Sequence, residues 1–149
     1  MTHVAIIGGG ASAVSVLAHL TLGATDRVTT LSHQPFGPGR AYGELEESAL
    51  LNRPTYKMSV SNHDPVSFVT WLDEKHPREN REYVPRRVYG DYLADYARAI
   101  KLDAAFEYSQ ISCDVVDVVP AGSGYKVCFE DNNGGRSSLD ADKVVLALG

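Results

Sequence analysis

The sequence predicts an α/β fold in which a parallel sheet carries helices and an inserted three-stranded β-meander. Three observations lead to this prediction. A short apolar segment, residues 3–7, runs directly into three consecutive glycines and then into a helix of small residues. A second strand-like segment, residues 27–31, follows that helix, so the chain begins with a β-α-β unit. From residue 106 onward the apolar residues alternate with a period of two, which is typical of strands.

The predicted helices follow from apolar spacing and from residues that start or end helices. Residues 11–22 form the first helix, which the following glycine ends. Asp64 and Pro65 are suited to the cap and first position of a helix over residues 64–74. Tyrosine and aliphatic residues repeat at helical spacing over residues 89–101, and packing in a core explains them.

The β-rich tail begins with strands at residues 105–108 and 111–119. Turns rich in glycine, asparagine and aspartate then lead to strands at residues 125–130 and 137–139, which completes the predicted meander.

The last predicted strand, residues 144–148, is a β-branched apolar run that needs cover on both faces. We expect it to be a central parallel strand beside residues 3–7 and to end at the same sheet edge as the glycines. A buried strand at the end of the chain also predicts that residues 1–149 are one domain from the N-terminal part of a longer protein, with exposed apolar surface where the remainder docks.

Composition excludes several classes of function. The hydrophobic share of 44% and the charged share of 22% are those of an ordinary soluble domain. The net charge is −5 and no basic run occurs, which argues against a nucleic-acid partner. No apolar run reaches the roughly 20 residues of a membrane helix, and no signal peptide is present, so no membrane partner is predicted. Cys113 and Cys128 fit no metal spacing, and we expect a reducing cytoplasm with both thiols buried.

The three glycines predict a phosphate-binding turn. Gly8 permits the tight turn, and Gly10 permits close approach of a pyrophosphate to the backbone. Ala13 stands where a third glycine often packs the helix on the strand. The free N–H groups at the helix start favour an anion. A tight strand-to-helix turn without a ligand is the structural alternative.

The end of the second strand departs from the usual dinucleotide pattern. An acidic side chain there normally binds the adenosine ribose, but this chain has Ser32. A serine hydroxyl can still hydrogen-bond a ribose without the charge assistance of a carboxylate. Loss of the acid could instead admit a 2′-phosphate, with Arg40 or Arg27 as its partner. A third interpretation is that Ser32 simply ends the strand and has no role in binding.

The order of motifs along the chain resembles the bacterial FAD/NAD(P)-binding family, whose relatives include flavin-dependent amine N-hydroxylases, monooxygenases and other two-dinucleotide flavoproteins. The resemblance spans essentially all 149 residues. After the glycine turn its motifs are Gly37-x-Gly39-x-Ala41-Tyr42, Leu50-Leu51-Asn52-x-Pro54, Met58-Ser59, Phe68-x-x-Trp71-Leu72, Pro85-Arg86-x-x-Tyr89-Gly90-x-Tyr92-Leu93 and residues 144–149.

The resemblance implies a Rossmann-like FAD-binding domain and a role for each of twelve residues. The pyrophosphate cradle is Gly8, Gly9, Gly10, Ala11 and Ser12. The remaining positions are Ser32 and His33 by the adenosine ribose, Arg40, Asn52 and Met58 toward the flavin, and Val115, with the main chain around Cys113–Val115 beside the adenine. Gly149, in the closing Ala147-Leu148-Gly149, would return to the cofactor.

The implied function is the FAD-binding portion of an NAD(P)H-dependent flavin oxidoreductase, of which a monooxygenase is one form, acting on a small-molecule substrate. The sequence contains no recognisable catalytic constellation and no metal cluster, which suits a protein whose cofactor carries the redox chemistry. Two alternatives remain. One is a non-catalytic nucleotide-binding or sensing module, which Ser32 favours. The other is a simple NAD(P)-binding domain. The predicted meander and the motifs between the glycine turn and the meander argue against it.

Overall fold

The computed structural model describes residues 1–43, 48–61, 67–77 and 82–149. Seven strands and four α-helices occur in these ranges. In chain order they are β1 (His3–Ile7), α1 (Ala11–His19), β2 (Arg27–Leu31), α2 (Gly39–Gly43), α3 (Phe68–Lys75), α4 (Arg86–Asp103), β3 (Glu107–Ile111), β4 (Cys113–Ala121), β5 (Gly124–Asp131), β6 (Arg136–Ala141) and β7 (Lys143–Leu146).

The strands form two sheets. The first is parallel throughout, with the order β3-β2-β1-β7. The second is the predicted three-stranded antiparallel meander, in the order β4-β5-β6, with an irregularity in β4 between Val115 and Asp117. The predicted α/β architecture with an inserted meander is therefore confirmed.

Strand β1 explains how the two sheets and the helices form three layers. Alternate side chains of a strand point to opposite faces. Val4 and Ile6 pack in one core with the buried sides of α1, α3 and α4. Ala5 and Ile7 pack in a second core with the meander, against Val127 and other residues of β4–β6. Each face of the parallel sheet is thus covered, by helices on one side and by the meander on the other.

The helices differ from the predictions mainly at their ends. Helix α1 stops at His19 rather than residue 22. The backbone is already extended at Leu20, and the Asp26 carboxylate accepts the Gly23 N–H at 2.9 Å in the turn that follows. The N-cap of α3 is Ser67, whose hydroxyl accepts the Thr70 N–H. The predicted start at Asp64 and Pro65 lies outside the described residues.

Helix α4 extends further in both directions than the predicted residues 89–101. Its tyrosines are core residues, as expected. Tyr92 is fully buried and lies with Phe68 in an aromatic cluster, their ring centroids 5.0 Å apart. None of the helices in the described residues is long and apolar enough to cross a membrane.

Two predictions about the strands were wrong in detail. Ile111 belongs to β3, where it is the parallel partner of Leu31, and not to the meander. Strand β7 lies beside β1 and parallel to it, as predicted, but it is an edge strand of the four and not a central one. Its one-sided pairing leaves Leu146 65% exposed.

Candidate functional site

The glycine turn connects β1 to α1 at the carboxyl edge of the parallel sheet. Gly8 has φ +124°, which L side chains rarely adopt, and its N–H donates to the Leu31 carbonyl at 2.9 Å. A Cβ at this position would overlap the Ala147 carbonyl oxygen. The backbone conformation and the close packing therefore require glycine at position 8, whether or not a ligand binds.

Gly9 joins this turn to the loop that follows β2. Its carbonyl accepts the Gly37 N–H at 2.7 Å. A Cβ on Gly9 would lie 2.6 Å from the Ser32 hydroxyl oxygen, which itself accepts the Gln34 N–H at 3.1 Å. The serine at the end of β2 is thus packed directly against the glycine turn.

Gly10 is different, because the protein leaves space beside it. A Cβ there would meet only the Gly39 Cα, at 3.9 Å. Its φ of −89° is open to any residue, so neither packing nor backbone geometry requires glycine. Gly10 is also the N-cap of α1, and it offers no side chain to the N–H groups of the first helical turn. The first N–H groups of α1 are therefore uncovered beside Gly10, and an anion could approach them there.

These groups face a cleft of about 700 Å³. The glycine-rich loop after β2 forms its opposite wall, and a Cβ on Gly39 would lie 2.5 Å from the Gly10 Cα, which shows how closely the two glycine segments approach. Nine of the twelve sequence-predicted residues line this cleft: Gly8, Gly9, Gly10, Ala11, Ser12, Ser32, His33, Arg40 and Gly149.

The other three predicted residues do not line it. Asn52 is exposed on a separate loop. Met58 is half-buried and packs against the helical core. Val115 packs against the core under the meander, and its neighbour Asp114 lines the cleft instead.

Seven further residues line the cleft without having been singled out as individual binding residues, namely Gln34, Gly39, Ala41, Tyr42, Asp114, Ala147 and Leu148. Three of them belong to the Gly37-x-Gly39-x-Ala41-Tyr42 motif, so the motif itself was the available signal. Ala147 and Leu148 follow β7, where the Ala147 N–H donates to the Ile7 carbonyl at 2.8 Å. Asp114 lies in the segment 113–115 whose main chain the resemblance placed beside the adenine, but no sequence signal pointed to its side chain, because the direction of that side chain depends on how the meander packs.

Charged side chains at the cleft are few. Arg40 is exposed at its wall, and no carboxylate of the described residues forms an ion pair with it. At the end near β2, the His33 Nδ1 lies 3.8 Å from the Asp114 Oδ2. The cleft therefore offers a cation and helix N–H groups to an anion, and a carboxylate near the end of β2.

Arg27, considered as a partner for a 2′-phosphate, lies at the opposite edge of the sheet. It begins β2, roughly 16 Å along the strand from Ser32. Its guanidinium pairs with the Glu107 carboxylate at 3.0 Å. It therefore cannot serve this cleft.

Two ionisable groups near the site are held neutral. Burial, and next the Asp114 charge, raise the pKa of the Cys113 thiol to about 11. Burial, and next the neighbouring Tyr42, raise the pKa of Tyr89 to about 12. At neutral pH Cys113 is thus a buried thiol rather than a reactive thiolate.

The cleft, the turn and the layered sheets agree with a comparison against known families. The chain belongs to the FAD-NAD(P)-binding family, whose sequence profile matches residues 5–149. A search of curated proteins finds no match.

Solved structures of flavoproteins share the fold at low sequence identity. The bacillithiol disulfide reductase Bdr of Bacillus cereus is 14% identical with a TM-score of 0.72, over 99% of this chain and 40% of its own. The ornithine hydroxylase PvdA of Pseudomonas aeruginosa is 18% identical with a TM-score of 0.72, over 100% of this chain and 39% of its own.

The ornithine N-hydroxylase KtzI of Kutzneria sp. 744, in a structure with reduced FAD, NADP⁺ and L-ornithine, is 18% identical with a TM-score of 0.69, over 100% of this chain and 37% of its own. The chain thus spans about two fifths of the length of these structures.

Proposed function

We propose that this chain is the FAD-binding portion of a longer NAD(P)H-dependent oxidoreductase, with a flavin monooxygenase as the preferred class. The observation that carries the proposal is the space beside Gly10. Glycine is required there neither by φ nor by packing, yet it opens the start of α1 to the cleft. A dinucleotide pyrophosphate is the ligand that such an opening suits.

The residues of the cleft fit FAD in three parts. The Gly10 backbone and the first N–H groups of α1, at Ala11 and Ser12, would hold the pyrophosphate. Arg40 would add a positive charge near the phosphates or the flavin. The end of β2, at Ser32 and His33, would hold the adenosine ribose. Bound FAD would supply the redox chemistry of the proposed oxidoreductase, with NAD(P)H as the reductant.

The protein's own contribution is binding, orientation and exclusion of water. Gly8 and Ala147 fix the turn against the segment after β7, so the cradle is rigid before a ligand arrives. Tyr42 closes one side of the cleft and is held by Tyr89, with ring centroids 4.9 Å apart. A preformed cradle of this kind lowers the entropic cost of binding.

The test is Gly10→Val, measured by FAD titration of the purified 149-residue chain. A valine side chain would fill the space left for the phosphates, so we expect loss of detectable FAD binding with the fold intact. Gly23→Val is the matched control, because Gly23 is exposed at the far end of α1 and its Cβ would meet only the Asp26 carboxylate, at 3.7 Å.

Circular dichroism and thermal unfolding establish that both variants fold. Equal FAD affinity in folded Gly10→Val and in the parent chain would contradict the phosphate-cradle assignment. Failure of the parent chain to bind FAD, NAD or NADP at all would overturn the proposed function.

A non-catalytic nucleotide-binding module is the second candidate, and Ser32 in place of an acid favours it. The two candidates differ in ligand. The oxidoreductase proposal expects FAD to bind more tightly than NAD or NADP, whereas a sensing module is supported if a nicotinamide dinucleotide or adenine nucleotide binds more tightly than FAD.

A further inference from the structure

We infer that Asp114 supplies the carboxylate that the end of β2 lacks, and that it recognises the ribose hydroxyls of a bound dinucleotide and disfavours a 2′-phosphate. This inference rests on the proposed function, because it assigns a role within the same cleft. The acid that determines specificity would then lie on the first strand of the meander, and not at the end of the second strand of the parallel sheet.

The strand connections bring Asp114 to this position. Strands β2 and β3 run parallel and end together, with Leu31 opposite Ile111, and the Ser32 N–H donates to the Ile111 carbonyl at 3.1 Å. Strand β4 begins two residues after Ile111, at Cys113. Asp114 therefore emerges at the carboxyl edge beside the residues that follow β2, and its carboxylate lies 3.8 Å from the His33 ring.

The Asp114 carboxylate is available to a ligand. Its side chain is 71% exposed and lines the cleft. The distance to His33 exceeds that of a hydrogen bond, so both carboxylate oxygens keep acceptor capacity for two neighbouring hydroxyl groups. Ser32, in contrast, offers a single uncharged hydroxyl group, whose oxygen already accepts the Gln34 N–H.

The same charge gives selectivity. A ribose with free hydroxyl groups donates hydrogen bonds to a carboxylate, which are stronger than those to a neutral acceptor. A 2′-phosphate removes one donor and brings negative charge to the carboxylate, so the preference comes from attraction for one ligand and repulsion of the other. FAD and ADP-ribose should therefore be favoured over 2′-phosphorylated ADP-ribose.

The experiment compares Asp114→Asn with Asp117→Asn by calorimetric titration of FAD, ADP-ribose and 2′-phosphorylated ADP-ribose. Asp117 is the matched control, because it is an exposed aspartate on the same strand that does not line the cleft. We expect Asp114→Asn to bind FAD and ADP-ribose about fivefold more weakly. It should also bind the 2′-phosphorylated form no more weakly than the parent does, while Asp117→Asn resembles the parent.

A second variant tests whether the acid has moved between strands. Ser32→Glu restores a carboxylate to the end of β2, so in the Asp114→Asn background it should recover most of the lost FAD affinity. In the parent background it should add little, because Asp114 already serves the ribose and a second carboxylate would stand beside it.

The outcomes separate this inference from the function on which it rests. If Asp114→Asn and the parent bind FAD and ADP-ribose equally, the role of Asp114 is wrong and the cleft remains a dinucleotide site. The role of Asp114 is also wrong if Asp117→Asn weakens FAD and ADP-ribose binding as much as Asp114→Asn does. If the parent chain binds neither FAD nor ADP-ribose, both proposals are overturned.

Discussion

The two edges of the parallel sheet are built from the same strands, but they differ in whether their polar groups are paired within the protein. At the amino edge, polar groups are paired within the protein. The Arg27 guanidinium meets the Glu107 carboxylate at 3.0 Å, and the His3 ring lies between the Asp140 carbonyl at 2.7 Å and the Thr29 hydroxyl at 2.9 Å. At the carboxyl edge, by contrast, the first N–H groups of α1 and the Arg40 side chain face the cleft.

This difference agrees with the proposed function, in which the amino edge stabilises the fold and the carboxyl edge binds the ligand. In open α/β sheets the loops that follow the strands diverge at the carboxyl ends and leave a crevice. Here the crevice is lined by segments that follow β1, β2, β3 and β7, so residues distant in sequence meet around it. The side chain of Arg40 is exposed there and therefore accessible to a ligand.

The largest effect is expected from a change that strains the glycine turn itself. Gly8→Ala places a Cβ against the Ala147 carbonyl oxygen and forces a non-glycine residue to φ +124°. We expect it to lower the free energy of unfolding by about 3 kcal/mol, measured by urea denaturation. Gly10→Ala, two residues away, meets only the Gly39 Cα at 3.9 Å and should cost no more than about 1 kcal/mol, which is the usual penalty for alanine at a helix N-cap.

This pair separates glycines required by folding from those required by a ligand. If Gly8→Ala were as stable as Gly10→Ala, the turn would have to be far more adaptable than its packing indicates. If Gly10→Ala were as unstable as Gly8→Ala, Gly10 would be a structural glycine and the argument for a phosphate opening would fail.

Local sequence signals were sufficient for the parts of the fold that are local. Strands β1 and β2 were predicted with the bounds that the structure gives. Strand β1 is an apolar run that ends in a glycine turn, and β2 is a short run rich in β-branched residues. The end of α1 was missed because the backbone becomes extended at Leu20, three residues before the glycine that was taken as the stop signal.

The site was predictable where it lies on the turn and the adjoining loop. The main chain of residues 113–115 was expected near the ligand, but the side chain of Asp114 was not, because its position depends on three strands and the register between them. The edge position of β7 could not be found from its apolar composition, because an apolar strand is expected at the centre of a sheet whether or not a neighbour follows in the chain.

A smaller effect is expected from Arg40, the cation of the carboxyl edge. Arg40→Ala should weaken FAD binding about tenfold, because it removes a positive charge that faces the ligand across the cleft. The loss should shrink as salt is raised, since Arg40 is exposed. FAD titrations at low and high ionic strength measure both the loss of affinity and its dependence on salt. An unchanged affinity at low salt would show that Arg40 points away from the bound ligand and that backbone N–H groups alone hold the phosphates.

The smallest effect is expected from the cation of the amino edge. Arg27→Ala removes an exposed ion pair with Glu107, and such pairs contribute little because both charges remain solvated. Stability should fall by less than about 0.5 kcal/mol. Binding of FAD and of NADP should stay within about twofold of the parent, because Arg27 lies at the edge opposite the cleft. Urea denaturation and titration of both dinucleotides provide the measurement. A loss of NADP affinity confined to Arg27→Ala, with Arg40→Ala unaffected, would mean that the ligand binds at the amino edge, and the contrast between the two edges would have to be reversed.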